Sequence, residues 1–340
     1  MFSSVTTRRT AALVGTSLLM LGVASCGDDG VGSSDADLTL YSGRSEDLVA
    51  DLVSDFEESS GLVVEVRYGD TPELAAQLLE EGDGTNADVF LSQDAGALGA
   101  LSKEGSFVAL APEVVGGVDP RYRASDSTWV GVSGRARVFV YNPDEVEPPQ
   151  SVFELTDEEW AGQVGYAPTN ASFQSFVTAM RVLEGEDVTR EFLIGLKENG
   201  KTYEDNGATL DAVEAGEISI GLVNHYYLFE RQAEAGDTPL NTQMAFAEPG
   251  DPASLVNVAG VGILESSDDK AAAEEFVTYL LSDEGQEYFA TTTFEYPLVK
   301  GVDAAEGVPP LEDIEGPDID LSDLDDLAAT QDLLADVGMI

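Results

Sequence analysis

Residues 221–230 decide the fold and the candidate site, and they read Gly221-Leu222-Val223-Asn224-His225-Tyr226-Tyr227-Leu228-Phe229-Glu230. The apolar residues continue a strand that starts at Ile218, and the pattern becomes helical within two residues and ends near Gly236. Side chains at a strand-to-helix turn face the positive end of the helix dipole, which favours negative charge. We therefore expect the phenols of Tyr226 and Tyr227 to ionise more easily than a free phenol, whose pKa is about 10.

The two tyrosines form a candidate metal site. Ionised phenols are hard oxygen donors, and such donors suit a hard, highly charged cation such as ferric iron. The alternative interpretation is that two adjacent aromatic residues after a strand pack in the core. His225, the only histidine in the chain, is interpreted as a structural group beside the tyrosines and not as a ligand.

The first 26 residues have the features of an export sequence. An arginine pair precedes an apolar run that is too short to span a membrane and that ends in Val23-Ala24-Ser25-Cys26. Small residues before a cysteine resemble a bacterial lipoprotein cleavage box, so Cys26 is the predicted lipid-attachment site. Residues 27–37, rich in Gly, Ser and Asp, form a predicted flexible tether. The protein is thus expected outside the cytoplasm, anchored to the membrane by lipid and exported by the general or the twin-arginine route.

Acidic residues dominate the charge of the chain. Its 65 Asp and Glu residues oppose 16 Lys and Arg residues, which gives a formal net charge of −49. This charge excludes nucleic acid as a partner, because phosphate contacts need a basic surface. The acids are densest after Gly301 and are typical of a solvated acidic surface. Because Cys26 is the only cysteine, an internal disulfide and a thiolate metal site are both excluded.

Strands and helices alternate along residues 38–340, which predicts an α/β fold with a mainly parallel sheet. In such sheets the ligand lies beyond the carboxyl ends of the strands. Residues 129–141 and 255–264 are long runs of Val, Gly and small residues, and they suit strands that cross between two lobes. The predicted domains are residues 38–130 and 260–300 for lobe one, 131–259 for lobe two, and 301–340 for an acidic C-terminal segment whose final helix packs on the lobes.

Catalytic signatures are scarce in this sequence. It has no Gly-x-Ser-x-Gly nucleophile elbow, no phosphate-binding Gly-x-x-x-x-Gly-Lys loop and no Gly-x-Gly-x-x-Gly after a strand. We therefore expect a binding protein and not an enzyme. An extracellular hydrolase with clustered carboxylates is the competing enzymatic interpretation, and a paired-carboxylate cleft without tyrosines would mark it.

Several residues near the predicted cleft favour an anion. Residues 170–172 begin the helix that follows Tyr166, and the free N–H groups of a helix start can hold an anion. Arg135 and Arg137 are two residues apart on a strand and so share one face, while Arg44 lies in the first strand–helix loop. In a chain this acidic, these arginines are expected either to bind an anion or to brace a carboxylate.

The chain resembles bacterial ferric-ion-binding proteins, the substrate-binding components of iron(III) ABC importers. The segments that carry the resemblance are Tyr41-Ser42-Gly43-Arg44, Glu80-Glu81-Gly82-Asp83, Ala87-Asp88-Val89-Phe90, Val132-Ser133-Gly134-Arg135-Ala136-Arg137-Val138, Asn224-His225-Tyr226-Tyr227 and Glu295-Tyr296-Pro297-Leu298. The resemblance covers residues 38–340. It implies a two-lobed, periplasmic-binding-protein-like fold of type 2 with two crossing strands and a ligand cleft between the lobes.

The resemblance also implies a function. A monomeric protein of this family holds ferric iron in the cleft, with a synergistic anion such as carbonate or phosphate, and delivers it to an ABC permease and ATPase. A protein of the same fold that binds an oxyanion or a small organic solute is the alternative.

Candidate site residues follow from the same comparison. Tyr226 and Tyr227 match the paired tyrosine ligands of the family, and Tyr166 matches a third tyrosine found in some branches. The expected anion-binding residues are Arg135, Arg44, Asn170, Ala171, Ser172, Asn206 and Asn224.

The chain departs from the family pattern in the first lobe. Ser45 stands where one branch has a histidine ligand, and Gln93 stands where that branch has a glutamate ligand. Asp94 takes the place of an amide that contacts the anion. Glu46 occupies a position where a further branch has tyrosine, so it is a predicted oxygen ligand unless it only serves the helix dipole.

Overall fold

The computed structural model describes residues 36–340, so the predicted export sequence, Cys26 and most of the predicted tether lie outside the described residues. Within them, the strands are β1 (Leu38–Ser42), β2 (Val64–Tyr68), β3 (Val89–Ser92), β4 (Val130–Tyr141), β5 (Val164–Tyr166), β6 (Gly200–Thr202), β7 (Ile220–Asn224), β8 (Gln243–Ala245), β9 (Val256–Ile263) and β10 (Tyr296–Pro297). The α-helices are α1 (Glu46–Ser60), α2 (Thr71–Glu81), α3 (Ala95–Lys103), α4 (Pro112–Val115), α5 (Ala171–Glu184), α6 (Glu186–Asn199), α7 (Asn206–Glu214), α8 (Tyr226–Ala235), α9 (Lys270–Leu280), α10 (Asp283–Thr291) and α11 (Leu327–Asp336). None of the described helices is both long and apolar enough to cross a membrane.

Strand β4 connects the two halves of the sheet, whose strand order is β2-β1-β3-β9-β4-β7-β5-β6. The first half of β4 pairs with β9 as far as Ala136, and its second half pairs with β7 from Arg137 onward. We call the β2-β1-β3-β9 side lobe one and the β7-β5-β6 side lobe two. Parallel pairs dominate the outer part of each lobe, whereas β4 pairs antiparallel with its neighbours. The predicted α/β fold with two lobes is confirmed.

The second connection between the lobes lies between β8 and β9. Strand β8 pairs with the lobe-two end of β4, from Phe139 to Tyr141. Strand β9 pairs with β3 and with the first half of β4, so it belongs to the sheet of lobe one. The chain therefore passes between the lobes just ahead of β9, in residues 246–255.

Local sequence accounts for most of the element bounds. Helix α1 starts with Glu46 and Asp47 in its first turn, where acids favour the helix dipole, and it ends at Gly61 with a φ of 78°. Its apolar face buries Leu52 and Phe56 against the sheet of lobe one. Helices α7 and α10 were not among the sequence predictions, because each is short and carries only a few buried apolar residues.

Each lobe has its own apolar core. In lobe one, side chains of β1, β3 and β9 pack with those of α1, α3 and α9. In lobe two, Phe173 and Phe176 of α5 pack with Phe192 of α6 and with the strand residue Tyr166. Both cores lie on the faces of the sheet, which leaves the carboxyl ends of the strands free to form a site.

The C-terminal segment contacts both lobes. Residues Leu321–Asp325 lie against α3, where Lys103 forms an ion pair of 2.5 Å with Asp325. Helix α11 then packs on α5 of lobe two. Arg181 of α5 forms an ion pair of 3.0 Å with Asp326, just before α11 begins.

We expect Gly99→Ala to destabilise the protein, although alanine favours a helix more than glycine does. A Cβ at position 99 would lie 2.7 Å from the backbone oxygen of Ser322, so the C-terminal segment would have to move away from α3. The expected loss is about 1–3 kcal/mol in the free energy of unfolding, measured by denaturant titration. Gly84→Ala is the control, because no heavy atom lies within 4 Å of its added Cβ. Equal stabilities of the two variants would contradict the contact.

Candidate metal and anion site

Tyr226 and Tyr227 are the first two residues of α8, directly after β7 and His225. Their rings stack with centroids 4.4 Å apart and an interplanar angle of 26°. Tyr226 is buried, with 3% of its surface exposed, whereas Tyr227 is partly exposed. One phenol of the pair is therefore withdrawn from water while the other is partly open to it.

The expected ease of ionisation is wrong for Tyr226. Burial raises the pKa of Tyr226 well above 10, and the neighbouring Tyr227 raises it further. Arg44 and Arg135 act in the opposite direction but do not outweigh burial. The helix dipole acts mainly within the first turn and is worth less than the loss of hydration of a buried phenolate. Tyr226 is thus a neutral phenol in the metal-free protein.

The hydrogen bonds of His225 hold the backbone directly before the tyrosine pair in place. The ring is fully buried, and its Nδ1 accepts a hydrogen bond of 3.2 Å from the N–H of Ala136. Because Nδ1 accepts, the proton of the neutral ring is on Nε2, which donates to the carbonyl oxygen of Phe294 at 3.0 Å. Burial lowers the pKa of His225 to about 3, so the ring stays neutral. The structural role predicted for His225 agrees with this geometry.

Three buried arginines approach the tyrosines. Arg44 follows β1, whereas Arg135 and Arg137 lie on β4 where its pairing changes from lobe one to lobe two. Nη2 of Arg44 donates to Oε2 of Glu295 at 3.0 Å, and Nε of Arg135 lies 3.8 Å from Oε1 of the same carboxylate. The arginines therefore brace a carboxylate, which was one of the two predicted roles.

The charges of the tyrosines and arginines interact. Burial has the largest effect on Arg44 and lowers its pKa, but Glu295 and both tyrosines raise it, so the final pKa lies above its ordinary value. Burial, together with the charge of the neighbouring Arg135, lowers the pKa of Arg137 to about 9. An added negative charge beside Arg137 would oppose this lowering.

The start of α5 provides a polar group in lobe two. Asn170 caps the helix by accepting from the N–H of Ser172 at 3.0 Å. The hydroxyl of Ser172 donates to Asn170 at 2.6 Å and accepts from Nη2 of Arg137 at 3.0 Å. Nδ2 of Asn206 donates to the same hydroxyl at 3.2 Å. These residues, which were predicted to bind an anion, are thus connected to the arginine cluster.

Several buried polar atoms of the site have no hydrogen-bond partner among residues 36–340. They are Nε and Nη1 of Arg44, Nε and Nη1 of Arg135, Nδ2 of Asn224, Oδ1 of Asn206 and Oε1 of Glu295. Most of them are donors. Buried donors without an acceptor are unfavourable, and an oxyanion would satisfy several at once.

The predicted first-lobe residues lie at the edges of this cluster. Ser45 and Glu46 are exposed at the start of α1, and the charge of Glu46 adds to burial in raising the pKa of Tyr68. The backbone oxygen of Gln93 accepts from Nη2 of Arg135. Asp94 caps α3 by accepting from the N–H of Gly96 at 2.9 Å. Glu46 is therefore not brought to the tyrosine pair in this structure.

Tyr166 is also not brought to the pair. Its ring stacks on Phe173 at 5.5 Å within the core of lobe two, and only 1% of its surface is exposed. Burial raises its pKa to about 12, with no arginine or tyrosine contributing. Within residues 36–340, no group of three or more His, Cys, Asp or Glu residues could hold a metal.

A crevice of about 380 Å³ lies between the lobes. Its walls come from the loops after β1, β2 and β3 and from the start of α5, and include Gly43, Thr71, Gln93, Asn170 and Ala171. A larger cavity of about 540 Å³ is lined by Tyr122 and by the chain from Tyr296 onward, and neither Tyr226 nor Tyr227 lines it. We assign the site to the crevice side, because the cluster residues Gln93 and Asn170 line it.

Two acids of the site were missed by the sequence analysis. Glu295 belongs to a segment that carried the family resemblance, but no role was given to it. The sequence did contain a signal for it, because Glu295 is a single acid between two aromatic residues, Phe294 and Tyr296. A charged group buried in such a segment needs a partner of opposite charge. Glu230 lies one helical turn after Tyr226 and was not separable from the many acids of the surface.

Comparisons with known proteins agree with the described fold. The chain matches the family of bacterial extracellular solute-binding proteins over residues 51–315. It is 32% identical over 312 residues to the Fe(3+)-binding periplasmic protein of Serratia marcescens, which covers 91% of this chain and 92% of that protein. Iron-bound HitA from Pseudomonas aeruginosa has a TM-score of 0.84 at 32% identity, over 88% of this chain and 99% of that one. A Trichodesmium protein in complex with iron and citrate has a TM-score of 0.77 at 27% identity, with the same coverage.

We expect Glu230→Gln to stabilise the metal-free protein above neutral pH. Burial, with the charge of Glu295, raises the pKa of Glu230 from 4.5 to about 7 in the folded state. Because the folded state holds this proton more tightly, the stability that it contributes is lost as pH rises toward 7. The expected gain is on the order of 1 kcal/mol at pH 8, reduced by partial exposure, and it should shrink at pH 5.

Urea denaturation of both proteins at the two pH values measures this difference. Glu275→Gln is the control, because Glu275 is exposed on α9. A gain of equal size at pH 5 and pH 8 would contradict the assigned pKa shift of Glu230.

Proposed function

Because this chain belongs to the family of bacterial extracellular solute-binding proteins, we propose that it binds ferric iron outside the cytoplasm. Phenolate oxygens of Tyr226 and Tyr227 are the proposed ligands. The observation that carries the proposal is the stacked tyrosine pair beside three buried arginines. The Serratia marcescens relative is named for Fe(3+) binding and the structure of HitA contains iron, which supports the same cargo here.

Binding of iron requires loss of the Tyr226 proton. The pKa of this phenol lies well above 10 because the group is buried. A trivalent cation stabilises a phenolate strongly in surroundings of low dielectric constant, so the metal displaces the proton to solvent. Arg44 and Arg135 assist, since their positive charges favour the phenolate.

A synergistic anion follows from the charge balance. Arg44, Arg135 and Arg137 carry three positive charges, and Glu295 and Asp94 carry two negative charges when ionised. Glu230, whose pKa is raised to about 7, is counted here in its neutral form. Ferric iron with two phenolates adds one further positive charge. A dianion such as carbonate or hydrogen phosphate would neutralise the resulting two charges and satisfy the free guanidinium donors. The anion or water would complete the iron coordination; Glu46 and Tyr166 remain predicted ligands.

We expect the iron-loaded protein to be coloured by a phenolate-to-iron charge-transfer band in visible light. Titration of the metal-free protein with ferric nitrilotriacetate, with bicarbonate or phosphate present, measures the band. Tyr226→Phe and Tyr227→Phe should weaken or abolish it, because each removes one phenolate. A colourless wild-type protein at full iron loading would refute ligation by tyrosine.

Tyr166→Phe is the matched control for that titration. It removes the same hydroxyl from a ring that stacks on Phe173 in the core. If the ring stays in the core with iron bound, as it lies in this structure, its band should equal that of the wild type. Loss of the band in Tyr166→Phe would instead show that Tyr166 reaches the iron, as the family resemblance implies. Glu46→Gln applies the same test to Glu46.

Binding of an anionic solute without iron is the second candidate function. The buried arginine donors without partners favour it, since they can hold an oxyanion or an organic acid by themselves. Elemental analysis of the protein as isolated separates the two functions, because only the first predicts iron at about one atom per chain. Delivery of the solute to an ABC permease and ATPase is part of both.

Anchoring by lipid completes the proposal. Cys26 lies outside the described residues, and its role rests on the small residues that precede it. We expect mass spectrometry of the mature protein to find an N-terminal, acylated Cys26, and Cys26→Ala to release the protein from membranes. A mature N-terminus elsewhere, with no acyl group, would refute the lipid anchor.

A further inference from the structure

We propose that Glu295 is an internal anion that competes with the exogenous anion for Arg44 and Arg135, and so sets how strongly iron binding depends on that anion. The inference rests on the proposed function, but it concerns a residue that touches neither the iron nor the exogenous anion. Glu295 is a positioning residue. It acts on the site through the two arginines.

The carboxylate of Glu295 is fully buried, and its two oxygens differ. Oε2 accepts from Nη2 of Arg44 at 3.0 Å and from the hydroxyl of Ser133 at 3.0 Å. The hydroxyl of Thr293 lies 3.2 Å from Oε2, but its single proton also has the carbonyl oxygen of Phe289 at 2.9 Å. Oε1 has no hydrogen bond within the described residues and lies 3.8 Å from Nε of Arg135. Oε2 thus accepts hydrogen bonds from two residues, whereas Oε1 faces the guanidinium group of Arg135 without forming a hydrogen bond.

The two arginines are incompletely neutralised by this carboxylate. Arg44 and Arg135 together carry two positive charges, and Glu295 is the acid that forms ion pairs with them within the described residues. Asp94 acts on Arg135 and Glu230 acts on Arg44 without such a contact, and burial raises the pKa of both acids. Burial and the charge of Arg44 lower the pKa of Arg135, so the remaining positive charge is unfavourable. In each arginine, Nε and Nη1 have no acceptor among residues 36–340. The pair can therefore accept one more anion, and its affinity for that anion depends on how much charge Glu295 already cancels.

The position of Glu295 is fixed by the turn that contains it. The carbonyl oxygen of Phe294 accepts from His225 at 3.0 Å, and the ring of Tyr296 stacks on His225 at 4.4 Å. Phe294 adopts a φ of 54°, which is unusual for a residue other than glycine. Because both neighbours of Glu295 contact His225, the backbone at Glu295 cannot move away from the arginines without disturbing the residue that precedes Tyr226.

A purely structural ion pair is the competing explanation, and it predicts the opposite sign. Removal of a structural carboxylate would disorder the arginines and weaken anion binding. Removal of a competing carboxylate would free the arginines and strengthen anion binding.

Isothermal titration of the iron-free, full-length protein with inorganic phosphate distinguishes the two. We expect Glu295→Gln to bind phosphate roughly tenfold more tightly than the wild type, a typical size for coupling between two sites. Glu186→Gln is the control and should leave phosphate affinity unchanged. It removes the same charge, but from a half-exposed carboxylate that pairs with Arg181. Equal, weaker or undetectable phosphate binding in Glu295→Gln would overturn the proposal.

Glu295→Asp covers the case in which Glu295→Gln fails to fold. The shorter side chain keeps the negative charge but withdraws it from Arg44, so phosphate affinity should lie between those of the wild type and Glu295→Gln. A Glu295→Asp affinity no tighter than that of the wild type would overturn the proposal as well.

Iron affinity, measured with and without phosphate, is a second test, because a purely structural role of Glu295 does not predict the following pattern. Without added phosphate, Glu295→Gln should bind iron more weakly than the wild type, because the site has gained a positive charge. Saturating phosphate should restore the affinity, so that the phosphate-dependent gain is roughly tenfold larger than in the wild type. The phosphate titration uses no iron, so it can fail or succeed independently of the charge-transfer band that tests the proposed function.

Discussion

The buried contact between Glu295 and the arginines is the interaction on which the site depends. Guanidinium groups are rarely buried without a counter-charge, since loss of hydration costs several kcal/mol for each ion. Here one carboxylate supports Arg44 directly and Arg135 at a longer distance. This partial neutralisation leaves buried positive charge beside two phenols, and the proposed binding of a metal together with an anion depends on that charge.

Strand β4 makes this arrangement possible. The strand changes partners between Ala136 and Arg137. Arg135 therefore lies on the part that pairs with lobe one, and Arg137, two residues later, lies on the part that pairs with lobe two. A register shift between Gly131 and Ser133 lies just upstream. Ser133, Arg135 and Arg137 then follow at alternate positions, and the first two approach Glu295 while the third reaches α5. A motion of one lobe relative to the other would change these contacts together.

The tyrosine pair shows how burial and local structure compete. The start of α8 favours a phenolate, yet burial raises the pKa of Tyr226 well above 10. A bare phenolate in this position would lose its hydration, and the charges of Arg44 and Arg135 do not outweigh that loss. In the proposed function, Tyr226 keeps its proton until the metal binds, so that binding of the metal is coupled to release of a proton.

The sequence alone determined the α/β fold, the strand-to-helix turn before Tyr226 and the crossing strand that became β4, because apolar periodicity and turn residues are local properties. It also identified Arg44, Arg135 and Arg137 as candidates near the cleft that bind an anion or brace a carboxylate, since bases are rare in so acidic a chain. Only the tertiary structure decided that Tyr166 packs on Phe173, that Glu46 faces solvent and that Glu295 joins the arginines. These outcomes depend on contacts between residues up to 251 positions apart, and no pattern within one segment contains such contacts.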